Sequence, residues 1–267
     1  MKVLYIGDVM AEMGIQAVEK VLPGLIAEKQ IDFVVAQAEN VSDGKGMNLD
    51  DYERLKRAGV HAFSGGNHTI KDVEIFPLLE DASAPVVGPA NMTDCPGPGY
   101  KLIPTPKGSV LTISLLGSIV GKQSDIVMQN PLQKVDEVLA SVPRELYITA
   151  VVNFHGDYSS EKVIIGHYLD GRAGVVVGDH WHVPTADTQI LPKGTAHMTD
   201  VGMCGSLDSS LGVTFDSVMP RWRDGHQTRN ELEAAGRNQF NALLVDIDEQ
   251  TGRALSVVPI REVWESV

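Results

Sequence analysis

The sequence predicts an α/β fold, because two patterns alternate along it. Short runs rich in β-branched residues, typical of buried strands, are followed by longer segments in which apolar residues recur at helical spacing. Glycine, proline and short polar residues separate the runs. A chain of 267 residues with 43% hydrophobic content can bury a full core, and we expect a single domain over residues 1–267.

Local signals bound the individual elements. Asn48 is predicted to cap a helix that Gly59 ends, because Asn accepts backbone N–H bonds and Gly adopts positive φ. Pro23-Gly24 is expected to kink or split the first helix, and residues 96–106, rich in Pro and Gly, are expected to form a loop. Strands are predicted at 2–6, 31–36, 60–64, 86–87, 109–116, 146–154 and 174–177, helices at 15–26, 49–58, 73–79, 131–142 and 159–169, and a closing hairpin at 240–247 and 255–260.

Composition narrows the classes of function. A net charge of -13 without a Lys/Arg cluster argues against binding of long nucleic acid, although a small phosphorylated substrate stays open. The two cysteines lie far apart and predict neither a disulfide framework nor a zinc knuckle, so we expect a reducing compartment. No run approaches the ~20 apolar residues of a membrane span, and residues 1–8 read as a strand rather than a signal peptide. We expect a soluble, cytoplasmic protein, and the sequence leaves homo-oligomerisation open.

Potential metal ligands follow the predicted strands one after another. Because the carboxyl ends of parallel strands meet at one edge of a sheet, side chains distant in sequence should converge there. This set of carboxylates, amides and imidazoles, without thiolate, suits iron, manganese or zinc. Seven candidates are too many for one ion, so a pair of ions bridged by one carboxylate is predicted. The candidates are Asp8, Glu39, Asn40, Asn67, His155, His180 and His182.

Each candidate also has an ordinary structural interpretation. Asp8 could cap a helix, Asn67 could form a turn, and His155 could be a hydrogen-bonded core residue. Ligand-type residues at five separate strand ends are hard to obtain by chance, which favours the metal site. The remaining histidines, His61, His167, His197 and His226, lack such a placement and are predicted to be surface or core residues.

Residues 221–223, Arg-Trp-Arg, have two interpretations. They could border the cleft and contact a phosphate or a base. A surface arginine pair beside a packed tryptophan is the favoured alternative, so this segment is left out of the predicted site.

A series of short motifs runs in order along the chain, at residues 7–8, 38–46, 66–69, 154–155, 160–162, 169–172, 180–187, 190–196 and 199–203. Together they resemble the motifs of the YmdB-type branch of the calcineurin-like metallophosphoesterases. The resemblance implies a four-layer α/β/β/α sandwich, a dinuclear centre, and phosphodiesterase activity on cyclic nucleotides, 2′,3′-cyclic AMP among them.

The resemblance also implies a division of the ligands. One metal would take Asp8, Glu39, Asn40 and His182, and the other Glu39, Asn67, His155 and His180, with Glu39 bridging. The broader superfamily has Asp-X-His at the first motif, where this chain has Asp8-Val9-Met10, and Asn40 fills that vacancy in this branch. Departures at residues 118, 153–157 and 204–206 leave the predicted ligands intact and concern the loops near the substrate.

The predicted chemistry is attack on phosphorus by a hydroxide bridging two metal ions, most consistent with iron (Fe²⁺/Fe³⁺) or Mn²⁺, with Zn²⁺ as an alternative. His68, beside Asn67 but assigned to neither metal, is predicted to stabilise the phosphoryl oxygens or to protonate the leaving oxygen. The expected partner is a cyclic nucleotide or another small phosphoester. Two alternatives remain open at this stage: a dinuclear hydrolase of amides or esters, and a regulatory protein that binds a nucleotide with little turnover.

Overall fold

The computed structural model describes residues 1–265, whose strands form two mixed sheets. The helices are α1 Ala11–Lys29, α2 Leu49–Ala58, α3 Phe76–Glu80, α4 Pro131–Ser141, α5 Ser159–Tyr168 and α6 Phe215–Asp224. The strands are β1 Lys2–Ile6, β2 Asp8–Val9, β3 Phe33–Gln37, β4 Ala62–Ser64, β5 Tyr100–Thr105, β6 Gly108–Leu116, β7 Thr149–His155, β8 Val175–Asp179, β9 Gln189–Ile190, β10 Ala196–Met198, β11 Met203–Ser206, β12 Arg237–Ile247 and β13 Ala254–Glu265.

Each sheet contains a run of parallel strands. The first sheet has the order β2-β11-β12-β1-β3-β4, with β13 paired to β12, and β1, β3 and β4 run parallel. The second has the order β5-β6-β7-β8-β10-β9, with β6, β7 and β8 parallel. The chain therefore offers two sets of parallel strand ends on which to build a site.

Alternation along the strands produces four layers. In β1, Leu4 belongs to the core that the first sheet shares with α1 and α2, whereas its neighbour Tyr5 belongs to the core between the sheets. In β7, Val151 packs in that central core, whereas Val152 packs with Ile165 of α5 on the outer side. Because successive side chains of a strand point to opposite faces, this pattern requires the arrangement α/β/β/α. The predicted four-layer sandwich is confirmed.

The predicted caps of α2 are present. Asn48 Oδ1 accepts a hydrogen bond from the backbone N–H of Asp51 at 2.8 Å, and Gly59 ends the helix at φ 114°. Of the two effects predicted for Pro23-Gly24, a kink or a split, the split is wrong, because α1 runs without interruption through Pro23. Leu22 and Leu25 are buried on either side of the proline, so packing of the apolar face holds the helix together across the lost hydrogen bond.

The predicted loop at 96–106 is also wrong over its second half, which forms β5. Pro104 lies within this strand, opposite Ser109 of β6. Proline cannot donate to a ladder, but β5 is at the edge of the second sheet and needs partners on one side only.

Other elements differ in extent. The predicted helix at 73–79 divides into a 3₁₀ turn, Val73–Ile75, and α3, and the closing hairpin extends to 237–247 and 254–265. Helix α6 was not predicted. Over residues 1–265, the structure contains no helix with both the length and the apolarity to cross a bilayer.

Candidate metal centre

The seven candidate ligands meet where the parallel strands of both sheets end. The first sheet contributes Asp8 from β2, Glu39 and Asn40 after β3, and Asn67 after β4; the second contributes His155, the last residue of β7, and His180 and His182 after β8. The sequence predicted that every ligand lies just past the end of a strand. This is wrong for Asp8 and His155, which lie within β2 and β7.

One group of side chains surrounds the amide of Asn40. Its Nδ2 lies 3.2 Å from Asp8 Oδ1, 3.1 Å from Glu39 Oε1 and 3.3 Å from His182 Nε2. Three electron-pair donors thus converge on one point, which is the arrangement that a bound cation requires. His182 Nδ1 donates to the Leu211 carbonyl at 3.1 Å, so Nε2 is the nitrogen turned toward this point.

A second group forms around His155. Its Nε2 lies 2.8 Å from Asn67 Oδ1 and 3.2 Å from Glu39 Oε1. Single ligand atoms of Glu39, His155 and His180 all lie within 4.8 Å of one another. Glu39 therefore contacts both groups, and the two histidines of the turn fall into different ones.

The buried carboxylates of the centre require compensating positive charge. Asp8 and Glu39 are 0% and 1% exposed, and removal of two carboxylates from water is costly without compensating positive charge. Burial, reinforced by Asp179, raises the pKa of Asp8 well above its usual value. Burial also acts to raise the pKa of Glu39, but His155 overcomes it and holds that pKa well below the usual range.

The two histidines of the turn are in the charge state that binds metal. Burial lowers the pKa of His180 to about 4, helped by the positive charge of His155, and burial lowers the pKa of His182 to about 4. Both imidazoles are therefore neutral at pH 7, the form that coordinates metal. Together with the converging oxygen and nitrogen atoms, this shows that the residues fit a metal centre.

Asp179 is a member of the site that sequence reasoning missed. Its Oδ1 lies 2.6 Å from His155 Nδ1, while its other oxygen accepts from Tyr5 Oη at 2.6 Å. A carboxylate on the far nitrogen of a ligand histidine fixes the tautomer and the ring orientation. The signal was present as the Gly178-Asp179 step before the two histidines, but it could not be distinguished from a turn.

A buried lysine supports the turn that carries His180 and His182. Their φ values are 104° and 63°, a region that is strained for non-glycine residues. Lys162 Nζ donates to the Asp179 carbonyl at 2.7 Å and to Asp200 Oδ2 at 2.8 Å, and the same Asp200 oxygen accepts the backbone N–H of residue 181 at 2.9 Å. These hydrogen bonds hold the backbone of the strained turn in place.

His68 lies beside the cluster and outside both groups. Its Nδ1 is 2.7 Å from Asn40 Oδ1, its backbone N–H donates to Glu39 Oε2 at 2.7 Å, and its side chain is 21% exposed. With Nδ1 held by Asn40, Nε2 is the nitrogen available to a substrate. Among the other histidines, His197 is buried in β10, away from the cluster.

A cavity of about 330 Å³ opens from the cluster and is lined by His68, His180 and His182 on the side of the candidate ligands. Arg221 and Trp222 of α6 also line it. The interpretation of residue 222 as a packed tryptophan is wrong, because its side chain is 81% exposed. The sequence signal was a tryptophan between two arginines, a pattern that does not by itself distinguish a packed ring from an exposed one.

Comparison with known proteins places these residues in a family. The model of the family described as YmdB-like protein matches residues 4–260. A relative from Bacillus subtilis (strain 168), named 2′,3′-cyclic-nucleotide 2′-phosphodiesterase, is 36% identical over 259 residues, 96% of this chain and 95% of the relative. The crystal structure of a hypothetical protein from Thermus thermophilus has 36% identity and a TM-score of 0.88, with all of both chains covered.

A further crystal structure, described as a novel phosphatase from Mycoplasma pneumoniae, has 28% identity and a TM-score of 0.90 and covers 99% of this chain and 94% of its own. These matches extend over the whole arrangement of strands that builds the candidate centre. The chain therefore belongs to the YmdB-like family, as the motifs of its sequence indicated.

Proposed function

We propose that this chain is a metal-dependent phosphodiesterase that hydrolyses nucleoside 2′,3′-cyclic phosphates, 2′,3′-cyclic AMP among them, or other small phosphoesters. The observation that carries the proposal is the position of Glu39, in contact with two groups of ligand-type side chains that come from two different sheets. The name of the Bacillus subtilis relative supports the class of substrate.

Two ions would be held in the division that the contacts suggest. Asp8, Asn40 and His182 would bind the first, and Asn67, His155 and His180 the second, with Glu39 shared. Iron or Mn²⁺ fits this mixed oxygen and nitrogen set, and Zn²⁺ is an alternative. When bound, such a pair lowers the pKa of a bridging water, so that hydroxide is available at neutral pH, and neutralises charge on phosphoryl oxygens.

Asn40 would coordinate the first metal and orient His68, and His68 would act as a proton donor. A half-turn of the Asn40 amide exchanges the positions of its oxygen and nitrogen, which brings the oxygen to the point shared by Asp8, Glu39 and His182. The amide N–H₂ would then donate to His68 Nδ1, which lies 2.7 Å from the present oxygen. This fixes the tautomer with the proton on Nε2, from which His68 would donate to a phosphoryl oxygen or to the leaving oxygen.

The test is a substrate panel on metal-loaded protein, run beside elemental analysis. We expect release of phosphomonoester from 2′,3′-cyclic AMP and from bis-p-nitrophenyl phosphate. Cleavage of an amide or carboxylic ester instead would favour the alternative hydrolase, and tight nucleotide binding without product would favour a regulatory role.

Glu39→Gln keeps the shape of the shared side chain and removes its charge. It should lower metal content, and it should reduce metal affinity and kcat/KM by more than about 100-fold, because loss of a partner behind a ligand already costs about 10–100-fold. The matched control is Glu53→Gln, at an exposed residue of α2 that pairs with Lys56. Equal activity and metal content in the two variants would contradict the proposal.

A further inference from the structure

Helix α6 forms part of the cleft that opens from the candidate metal centre. The cavity of about 330 Å³ is lined both by His68 and His182 and by Arg221 and Trp222. A neighbouring cavity of about 700 Å³ shares Arg221 and is also lined by Arg229. Sites for small ligands span roughly 300–1,000 Å³. The space beside α6 is therefore large enough for more of a substrate than its reacting phosphate.

This part of the cleft is held in place before any ligand arrives. Val218 of α6 is buried, and it anchors the turn of the helix before Trp222. Arg221 Nη2 donates to Asn230 Oδ1 at 2.8 Å and to the Thr228 carbonyl at 3.1 Å. A wall that is already ordered loses little conformational entropy when it binds a ligand.

Trp222 is the unexplained feature of this wall. A tryptophan buries a large apolar area in most proteins, yet this one is 81% exposed at the edge of the cavity. An exposed indole beside a guanidinium is a stacking platform for a nucleobase, because the faces of the two rings attract and the cation adds to the attraction. The chain carries a net charge of -13, so the cations that line this region stand out from its surroundings.

We propose that α6 forms the nucleobase subsite of the enzyme, with the base of a nucleoside 2′,3′-cyclic phosphate stacked on Trp222. The inference rests on the proposed function, in which the metal centre binds the reacting phosphate and α6 binds the base of the same substrate. Trp222 is a specificity residue, because it contacts the base and not the reacting phosphate.

The same helix offers an internal control. Phe215, Met219 and Trp222 are exposed at intervals of four and three residues, so they form an apolar stripe along α6. Trp222 differs from Met219 because it lines the cavity, whereas Met219 is not among the residues that line it. Contact with a second copy of the chain would involve the stripe as a whole, whereas base stacking would involve Trp222.

The experiment compares two substrates that share one reacting ring. We would measure kcat/KM for 2′,3′-cyclic AMP and for glycerol 1,2-cyclic phosphate, which has the five-membered cyclic phosphate and no base. In Trp222→Ala the kcat/KM for 2′,3′-cyclic AMP, divided by that for glycerol 1,2-cyclic phosphate, should fall about 10-fold or more, mainly because KM for the nucleotide rises. Trp222→Phe should restore most of the ratio, and Met219→Ala should leave it as in the wild type.

An unchanged ratio in Trp222→Ala would overturn the inference, as would an equal fall in Met219→Ala. If Trp222→Ala and Met219→Ala both change the oligomeric state in size-exclusion chromatography and both leave the ratio of kcat/KM values unchanged, the stripe would be a contact between subunits. If the wild type hydrolyses neither substrate, the proposed function fails, and calorimetric binding of adenosine 3′-monophosphate to the metal-loaded protein decides the subsite separately. A dissociation constant about 10-fold higher in Trp222→Ala would still support it, and equal constants would refute it.

Discussion

Lys162→Met tests whether the buried lysine braces the candidate site. Lys162 and Asp200 are both fully buried and lie 2.8 Å apart. Methionine fills similar space but leaves the carboxylate without its cation. Loss of one partner of a buried pair costs about 3–5 kcal/mol, so the free energy of unfolding of metal-free protein should fall by that amount. The assay is urea unfolding at pH 7.5.

Lys134→Met is the matched control, because Lys134 pairs with Glu137 on the surface of α4. Exposed pairs of this kind contribute about 0.2–1 kcal/mol.

The effect of Lys162→Met should also depend on pH. Burial raises the pKa of Asp200 and Lys162 opposes that rise, so without the lysine the pKa of Asp200 rises further. A carboxyl group whose pKa is raised in the folded state favours folding at low pH, and this contribution is lost as pH increases through the raised pKa. The loss of unfolding free energy in Lys162→Met should therefore be smaller at pH 5 than at pH 7.5.

The metal affinity of Lys162→Met gives a second readout. Because Lys162 holds the Asp179 carbonyl and Asp200, its loss should loosen the strained turn that carries His180 and His182. Partners behind the ligands contribute about 10–100-fold to metal affinity, so Mn²⁺ should bind more weakly by that factor in calorimetry. A destabilisation no larger than that of Lys134→Met, with Mn²⁺ affinity unchanged, would refute the reasoning.

Three further predictions concern the site and the core. His68→Ala should keep both metals by elemental analysis and lose about 10²–10⁴-fold in kcat, because in the proposed mechanism His68 donates a proton without coordinating a metal; loss of metal would make it a ligand instead. Asp179→Asn should weaken metal binding about 10–100-fold, because the amide holds the His155 ring less firmly, and a calorimetric titration equal to the wild type would contradict this. Burial lowers the pKa of His197, so the unfolded chain binds a proton there that the folded chain does not, and stability should fall as pH decreases through about 6.5. Urea unfolding of His197→Asn between pH 7.5 and 5.5 should show a shallower decline than the wild type, and an equal decline would remove His197 as a cause.

Much of the candidate site could be predicted because its residues follow strands with clear patterns. The apolar run 175–177 is followed by Gly-Asp, which predicts a strand end, and the runs at 33–36 and 62–64 predict strand ends before Glu39 and Asn67. Periodicity identifies strands but does not say which strands pair. The division of the ligands between two sheets therefore came from the resemblance and the structure.

The parts that could not be predicted depend on tertiary context. Pro104 indicates a loop unless its strand is known to be at an edge. Lys162 reads as a surface residue of an amphipathic helix, because full burial of a lysine is rare and depends on a partner 38 positions later in the chain. Helix α6 has Pro220 in its interior and an exposed apolar stripe, so its sequence matches no simple helical pattern.

The most direct test of the proposed centre is a crystal structure of the protein with Mn²⁺, with anomalous data collected to locate the metal. We expect two anomalous peaks about 3.5–4 Å apart on either side of Glu39, with His182 on one ion and His180 on the other. A single peak, both histidines on one ion, or ions without contact to Glu39 would contradict the proposed centre.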